Sequence, residues 1–364
     1  MTTPLPQALR IAQEINRVLK DNPEALGHDR KLRNTLKEIR ALDRSFAEKG
    51  GLFFHTGSTP LETAKKFTEI HLEQYRLTGL RPSLPALAIH HAAVLGLDKN
   101  SPAYKAMIMV AVRAEMKAAI APPYHSKFHY TDVAAVTANL LEKNNAMVKG
   151  GEAGGVVLTQ LEQALTFIAA IGHDLDHEGR DNPPDDLYFN EKKSFYLMEP
   201  LLQEAGLSAP DIDKIHTILL TTSPDGPHAV LKVVAKAQRE GRTVDFTVID
   251  PQNKFSELKA LAGDAKLTQM AAIVSDSDLY ASSGAGMKYS DTTGALMTAE
   301  KKKAGINIDL TTDSSRKFFF DSIVGKEGYA SNAGRAANNE AFEALRAEND
   351  RRLAVAAARQ QPKP

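Results

Sequence analysis

Leu161-Glu-Gln-Ala-Leu-Thr-Phe-Ile-Ala-Ala-Ile-Gly-His173-Asp174 reads as a helix that ends in chemistry. Leu161, Leu165, Ile168 and Gly172 fall at offsets of zero, four, seven and eleven, one face of an α-helix. His173 continues that inward face, Asp174 follows it directly and His177 comes one turn later. A buried imidazole needs partners for its nitrogens, and a buried carboxylate is costly unless paired or bound to a cation.

The pattern occurs twice more. His129, Val133, Val136 and Leu140 share one helical face, with His125 a turn earlier in Tyr124-His-Ser-Lys-Phe-His-Tyr-Thr-Asp-Val133. Leu267, Met270, Ala271 and Val274 define a third inward face, and offset eleven on it is Asp278. Asp276, at offset nine, projects elsewhere. His129, His173, Asp174 and Asp278 are therefore the candidate ligands of a divalent cation, the donor types that zinc, magnesium or manganese accept. The bland alternatives are hydrogen-bonded core histidines, and capping or loop roles for Asp174 and Asp176. His28-Asp29 has no apolar helix feeding it and reads as a surface loop; His90-His91 lacks a nearby carboxylate and reads as packing.

Working outward, helical spacing persists along the chain. Ile11, Ile15, Val18 and Leu19 mark one helix, and Leu32, Leu36, Ile39 and Leu42 another. Thr59-Pro60-Leu61-Glu62 predicts a capped start with proline at the first helical position, for a helix running through Phe67, Ile70 and Tyr75 to about Gly79. Pro82 and Pro85 interrupt it. Without sustained strand alternation, the expected fold class is all-α: a compact multi-helix domain with an N-terminal helical region. The expected division is 1–95 for that region, 96–345 for the catalytic domain, and 346–364 for a helix end and frayed tail. Segments 149–155, 282–294 and 307–315 read as loops.

Composition narrows the chemistry. The 364 residues carry 45 basic and 45 acidic side chains, so no nucleic-acid footprint stands out. Cysteine is absent, which excludes thiolate metal sites and thiol catalysis. No apolar run approaches about 18 residues and no secretory leader is evident, so the expected location is cytoplasmic, without membrane.

The two histidine-rich segments resemble the signatures of the class I 3′,5′-cyclic-nucleotide phosphodiesterases, within the HD superfamily of metal-dependent phosphohydrolases. Tyr124 to Val133 is similar to Tyr-His-Asn-x-x-His-x-x-x-Val, with Ser126 in the asparagine position. His173 to Asn182 matches His-Asp-x-Asp-His-x-Gly-x-x-Asn, and Ser277-Asp278-Leu279 stands where the family has Ala-Asp-Leu. The likeness covers roughly residues 100 to 335.

The resemblance implies two divalent metals, Zn²⁺ in a tight site and Mg²⁺ or Mn²⁺ in a second. His129, His173, Asp174 and Asp278 would hold the first, and Asp174 would also touch the second. It places His177, Glu191 and Thr222 in supporting positions or beside metal-bound water. It assigns His125 as the general acid in hydrolysis of a cyclic nucleotide, a small-molecule phosphoester. Tyr124, Asn182, Arg316 and Phe319 would meet substrate. Two departures stand out: Lys193 and Ser194 replace the family's His-His, and Arg316 stands where a glutamine grips the purine. Arginine has no acceptor and cannot copy that amide. The competing readings are an HD-type hydrolase of another phosphoester, with Arg316 or Lys301-Lys-Lys303 contacting an anion, and a metal-binding module without turnover.

Overall fold

The computed structural model describes residues 14, 15, 17, 37, 59–73, 75, 81–118, 122–224 and 226–360, and no strand occurs among them. The longer helices are α1 (Pro60–Thr68), α2 (Leu84–Leu95), α3 (Pro102–Ala118), α4 (Lys127–Gly150), α5 (Gln160–Gly172) and α6 (Phe189–Glu204). They continue with α7 (Ala209–Leu220), α8 (Pro227–Arg239), α9 (Ala265–Ser283), α10 (Met287–Lys303), α11 (Asp313–Phe319) and α12 (Asn332–Gln360). The fold is all-α. Most of the two expected helices at 11–19 and 32–42, and the loop at 28–29, lie outside the described residues; Glu14, Ile15 and Arg17 are helical.

Helices α4, α5 and α9 pack on one another and form the centre. Their inward faces follow the apolar spacing: Val133, Val136, Leu140, Leu165, Ile168, Met270, Ala271 and Val274 are all buried. Leu161 departs from its expected inward position and is 38% exposed, because the first turn of α5 lies outside the core that receives Ala164 and Leu165. Around this centre, α3 and α7 cover α5, α8 lies on α9, and α12 runs across α1, α4 and α9.

Local signals set several boundaries. Thr59 is extended and its side chain accepts the Glu62 N–H at 3.2 Å, with Pro60 opening α1. That helix passes into a π-helical turn, Glu69–Glu73. The segment 282–294, expected as a loop, is mostly helix: α9 ends at Ser283 and α10 begins at Met287. Tyr289 is fully buried there, and Ser282 hydrogen-bonds Thr293 at 3.1 Å, so tertiary packing overrides a weakly helical composition. Helix α12 also continues past Leu353 to Gln360.

A buried ionic cluster ties the N-terminal side of the described fold to α4. Asp132 is 1% exposed and takes Arg81 at 2.5 Å, the Tyr289 hydroxyl at 2.6 Å and His71 at 3.2 Å. Arg81 also donates to the carbonyls of His71 and Phe128. Burial works to raise the Asp132 pKa, but Arg81 and His71 outweigh it and hold the carboxyl below its ordinary range. Asp132→Asn is expected to cost about 3–5 kcal/mol near neutral pH by stranding Arg81. A depressed folded-state pKa contributes stability above the unfolded value, lost as pH falls through the folded value. The mutant's deficit should therefore shrink in acid. Equal urea midpoints for the two proteins at pH 7 would show that the cluster contributes nothing.

Candidate metal centre and active site

The three central helices deliver one donor group each to a common point, and the turn after α5 adds a fourth. Ser126 caps α4, its hydroxyl accepting the Phe128 N–H at 3.3 Å, so His129 sits in the first turn. Serine and asparagine are both strong caps, which makes this departure from the family signature physically mild. His173 closes α5, where Thr159 and Glu162 form a reciprocal capping box at the other end. Asp278 lies on α9, while the fully buried Asp276 turns away and accepts the N–H groups of Ala330 and Ser331 ahead of α12.

Donor atoms of His129, His173, Asp174 and Asp278 converge. His129 Nε2 lies 3.1 Å from Asp174 Oδ2, 3.1 Å from Asp278 Oδ1 and 3.2 Å from His173 Nε2. His173 Nε2 is 2.9 Å from Asp174 and 3.6 Å from Asp278. Ligand bonds of about 2.0–2.2 Å put neighbouring donors roughly 3.0–3.5 Å apart, so the set fits a small divalent cation. His173 Nδ1 donates to the Ala170 carbonyl at 2.9 Å, which leaves Nε2 as the lone-pair nitrogen a metal requires. The His129 ring is held by Tyr124, packed 4.5 Å away.

Electrostatics agree with a cation site. Burial would raise the Asp174 pKa, yet His173 and His125 bring its carboxyl well below the ordinary value; His129 and His173 likewise lower that of Asp278. The imidazoles are shifted the other way: burial opposes, but Asp174 and Asp278 move His129 up to about 9. A divalent ion would replace those protons as the balancing charge.

A second set, His125, Asp174 and His177, shares Asp174 with the first. His125 Nε2 faces Asp174 at 3.6 Å, and its Nδ1 lies 2.5 Å from Glu300 Oε1. Glu300 is 2% exposed, and its other oxygen accepts the backbone N–H groups of Tyr124 and His125 at 2.8 and 3.0 Å. Burial would raise the Glu300 pKa, but these contacts, led by His125, lower it. Sequence reading missed Glu300. It stands beside Lys301-Lys-Lys303, and a charged run masks a buried carboxylate unless the helical phase of α10 is known. His177 stacks on His125 at 3.7 Å and accepts the Gly179 N–H at 2.9 Å. Burial and the neighbouring His125 bring its pKa down to about 4.

The loop after His173 needs unusual backbone. Asp176 is left-handed at φ 66°, and Lys117 meets its carboxylate at 2.5 Å. Lys193 donates to the Asp176 carbonyl at 2.9 Å and to Glu178 at 2.6 Å; Ser194 donates to the Leu175 carbonyl at 3.2 Å. The two departures at Lys193 and Ser194 thus brace the ligand loop from α6. Gly179 has φ 77°, and a Cβ there would lie 2.5 Å from Glu300 Cγ. Gly179→Ala should therefore displace Glu300 and cut turnover by about tenfold or more, with backbone strain of order 1 kcal/mol. Gly241→Ala, at φ 67° in open space, should carry the strain alone. Equal activity of the two variants would refute the close-approach argument.

Other expected site residues are placed differently. Asn182 donates to Leu187 O, Glu191 and Ser223 and accepts from Asn190 N, so its amide is engaged inside the fold. Glu191 is buried as its partner, and Thr222 donates to the Leu219 carbonyl at 2.8 Å. Arg316 is 4% exposed and bonds Ser290, Asp313, Asn349 and Asp291. Those partners make it an internal tie between α10, α11 and α12 rather than a free anion hook. Phe319 is half-buried with its ring 6.1 Å from Phe320, while Phe318 is 67% exposed. Beside the cluster a groove of about 280 Å³ is lined by Tyr130, His177, Glu300, Lys117, Arg180 and Lys303.

No curated protein matches the chain. The solved structure of LmjPDEB1, a Leishmania protein, in complex with IBMX aligns at 15% identity and a TM-score of 0.47, covering 74% of this chain and 86% of that one. The family model of 3′5′-cyclic nucleotide phosphodiesterase matches residues 124–184. That segment holds His125, His129, His173, Asp174 and His177. Through that segment the chain is similar to the 3′5′-cyclic nucleotide phosphodiesterase family.

Proposed function

We propose that the chain hydrolyses a 3′,5′-cyclic nucleotide to its 5′-monophosphate, with His125 as the general acid. The observation that carries this reading is the pairing of the His125 ring with Glu300 on one side and Asp174 on the other. A purely structural metal site has no use for an oriented imidazole next to its ligands. His129, His173, Asp174 and Asp278 would hold one cation, proposed as Zn²⁺, and Asp174 would face a second, proposed as Mg²⁺ or Mn²⁺. When bound, such cations supply a nucleophile at neutral pH by lowering the pKa of water, and they screen phosphoryl charge.

The protein's own groups do the rest. Glu300 fixes the His125 ring at Nδ1, which directs Nε2 toward the metal ligands, where it would pass a proton to the departing ribose oxygen. Tyr124 closes the far side of the ligand rings, and the groove at Tyr130 and Lys303 gives the phosphoester its approach. Phe319 remains the proposed aromatic neighbour of the base. Arg316 supports base selection only through the position of α11, since its donors already serve the fold. Asn182, Glu191 and Thr222 would support the second cation's surroundings through the α6 and α7 ends.

The engagement of Arg316 also favours a second reading, a phosphohydrolase indifferent to the base. Turnover of cAMP, cGMP, cyclic pyrimidine nucleotides and an aryl phosphodiester, each with zinc plus magnesium or manganese, separates the two. Preference for any cyclic nucleotide supports the first. Activity on the aryl ester alone supports the second, and no hydrolysis of any of them by metal-loaded protein rejects both.

A further inference from the structure

A second cavity, about 190 Å³, lies between α2, α4 and α5 and shares no lining residue with the metal cluster. Its walls are largely apolar, with Leu87, Leu95, Ala138 and the Phe167 ring among them. Four buried polar side chains also line it, His71, His91, Asn139 and Gln163. His91 is 5% exposed and stacked on Phe167 at 4.2 Å, and its Nε2 is buried with no hydrogen-bond partner among the described residues. Asn139 is 8% exposed on the opposing helix α4. Burial drives the His91 pKa down to about 3, so the ring is neutral, with one donor and one acceptor nitrogen.

A buried imidazole nitrogen without a partner is costly, and natural folds rarely leave one unless something else supplies the bond. Size limits what that can be. An apolar cavity of about 150 Å³ accepts a single benzene ring, so this one holds one ring with a small substituent. Charge limits it too, since none of the buried side chains compensates an ionised group in an apolar pocket and the exposed Glu142 disfavours an anion.

We propose that this cavity is a binding site for a small, uncharged, single-ring molecule bearing one hydroxyl or ring N–H, which stacks by Phe167 and hydrogen-bonds His91. The site is distinct from the metal centre. Its occupant bridges α4 and α5, the helices that carry His129 and His173.

Phenol is the probe, with toluene as its match in shape without the hydroxyl. Titration of the full chain by calorimetry and ligand-observed NMR should show saturable phenol binding, with toluene about tenfold weaker for the missing hydrogen bond. His91→Leu should bring phenol down to the toluene level. Ala138→Phe, which fills the space, should abolish both while the helical circular dichroism persists. Absence of saturable phenol binding to the wild-type chain overturns the proposal, as does phenol binding that His91→Leu leaves unchanged. These titrations need no turnover, so failure of the hydrolytic reading would leave their outcome intact.

Discussion

Asp174→Ala should abolish both metal retention and hydrolysis. This carboxylate is the member shared by both donor sets, 2.9 Å from His173, 3.1 Å from His129 and 3.6 Å from His125. Removing it takes one ligand from the first site and the only carboxylate from the second. Metal assistance is worth several kcal/mol of transition-state stabilisation, and each 1.36 kcal/mol is tenfold, so turnover should fall on the order of 10⁴-fold. Bound metal measured by atomic emission should drop in parallel. The fold should persist, because Asp174 is partly exposed at a helix end and its backbone carbonyl, bonded by the Tyr130 hydroxyl, remains. A variant that keeps full metal content and more than a tenth of the activity would rule out the bridging role.

Glu300→Gln is the next largest effect and tests a different function. The amide keeps the size of the side chain and one acceptor oxygen, but loses the charge that pairs with His125. It must also place an NH₂ group against either the His125 ring or the two backbone N–H donors. General acid catalysis contributes about 10²–10⁴-fold, and a misoriented acid forfeits much of it, so kcat should fall roughly 10²-fold. KM should move little, and metal content should not change, since Glu300 belongs to neither donor set. Glu300→Asp, which keeps the charge on a shorter arm, should recover part of the loss. A fall in bound metal with unchanged kcat per loaded site would mean that Glu300 serves the fold and not the acid.

Together these two variants separate cation binding from proton delivery. Most departures from the resembled signature have a structural role of their own. Ser126 replaces an asparagine with another helix cap, and Lys193 and Ser194 replace two histidines with donors that secure the ligand loop. Arg316 is the departure with consequences. Its bonds to Asp291, Asp313 and Asn349 link three helices, so its guanidinium is committed to the fold.

The sequence by itself determined the helical class, the inward faces of α4, α5 and α9, and the four residues whose donor atoms converge. Helical phase is a local property: once Leu165, Ile168, Met270 and Val274 are known to be inside, the directions of His173 and Asp278 follow from a 3.6-residue turn. The signature at 124–133 and 173–182 is equally local, which is why the likeness to the family was legible there. Only the tertiary structure decided the rest. Glu300 reaches His125 from a helix 175 residues away in sequence, and Arg316 finds Asp291 across 25. Both are charged residues in polar stretches, and nothing local distinguishes a buried, paired charge from a solvated one. The segment 282–294 became helix for the same reason: the burial of Tyr289 against Asp132 and Arg81 supplied what its Ser and Gly content lacked. Spacing fixes where a side chain points along its own helix, whereas partners brought from distant segments fix whether its charge is used for chemistry or for structure.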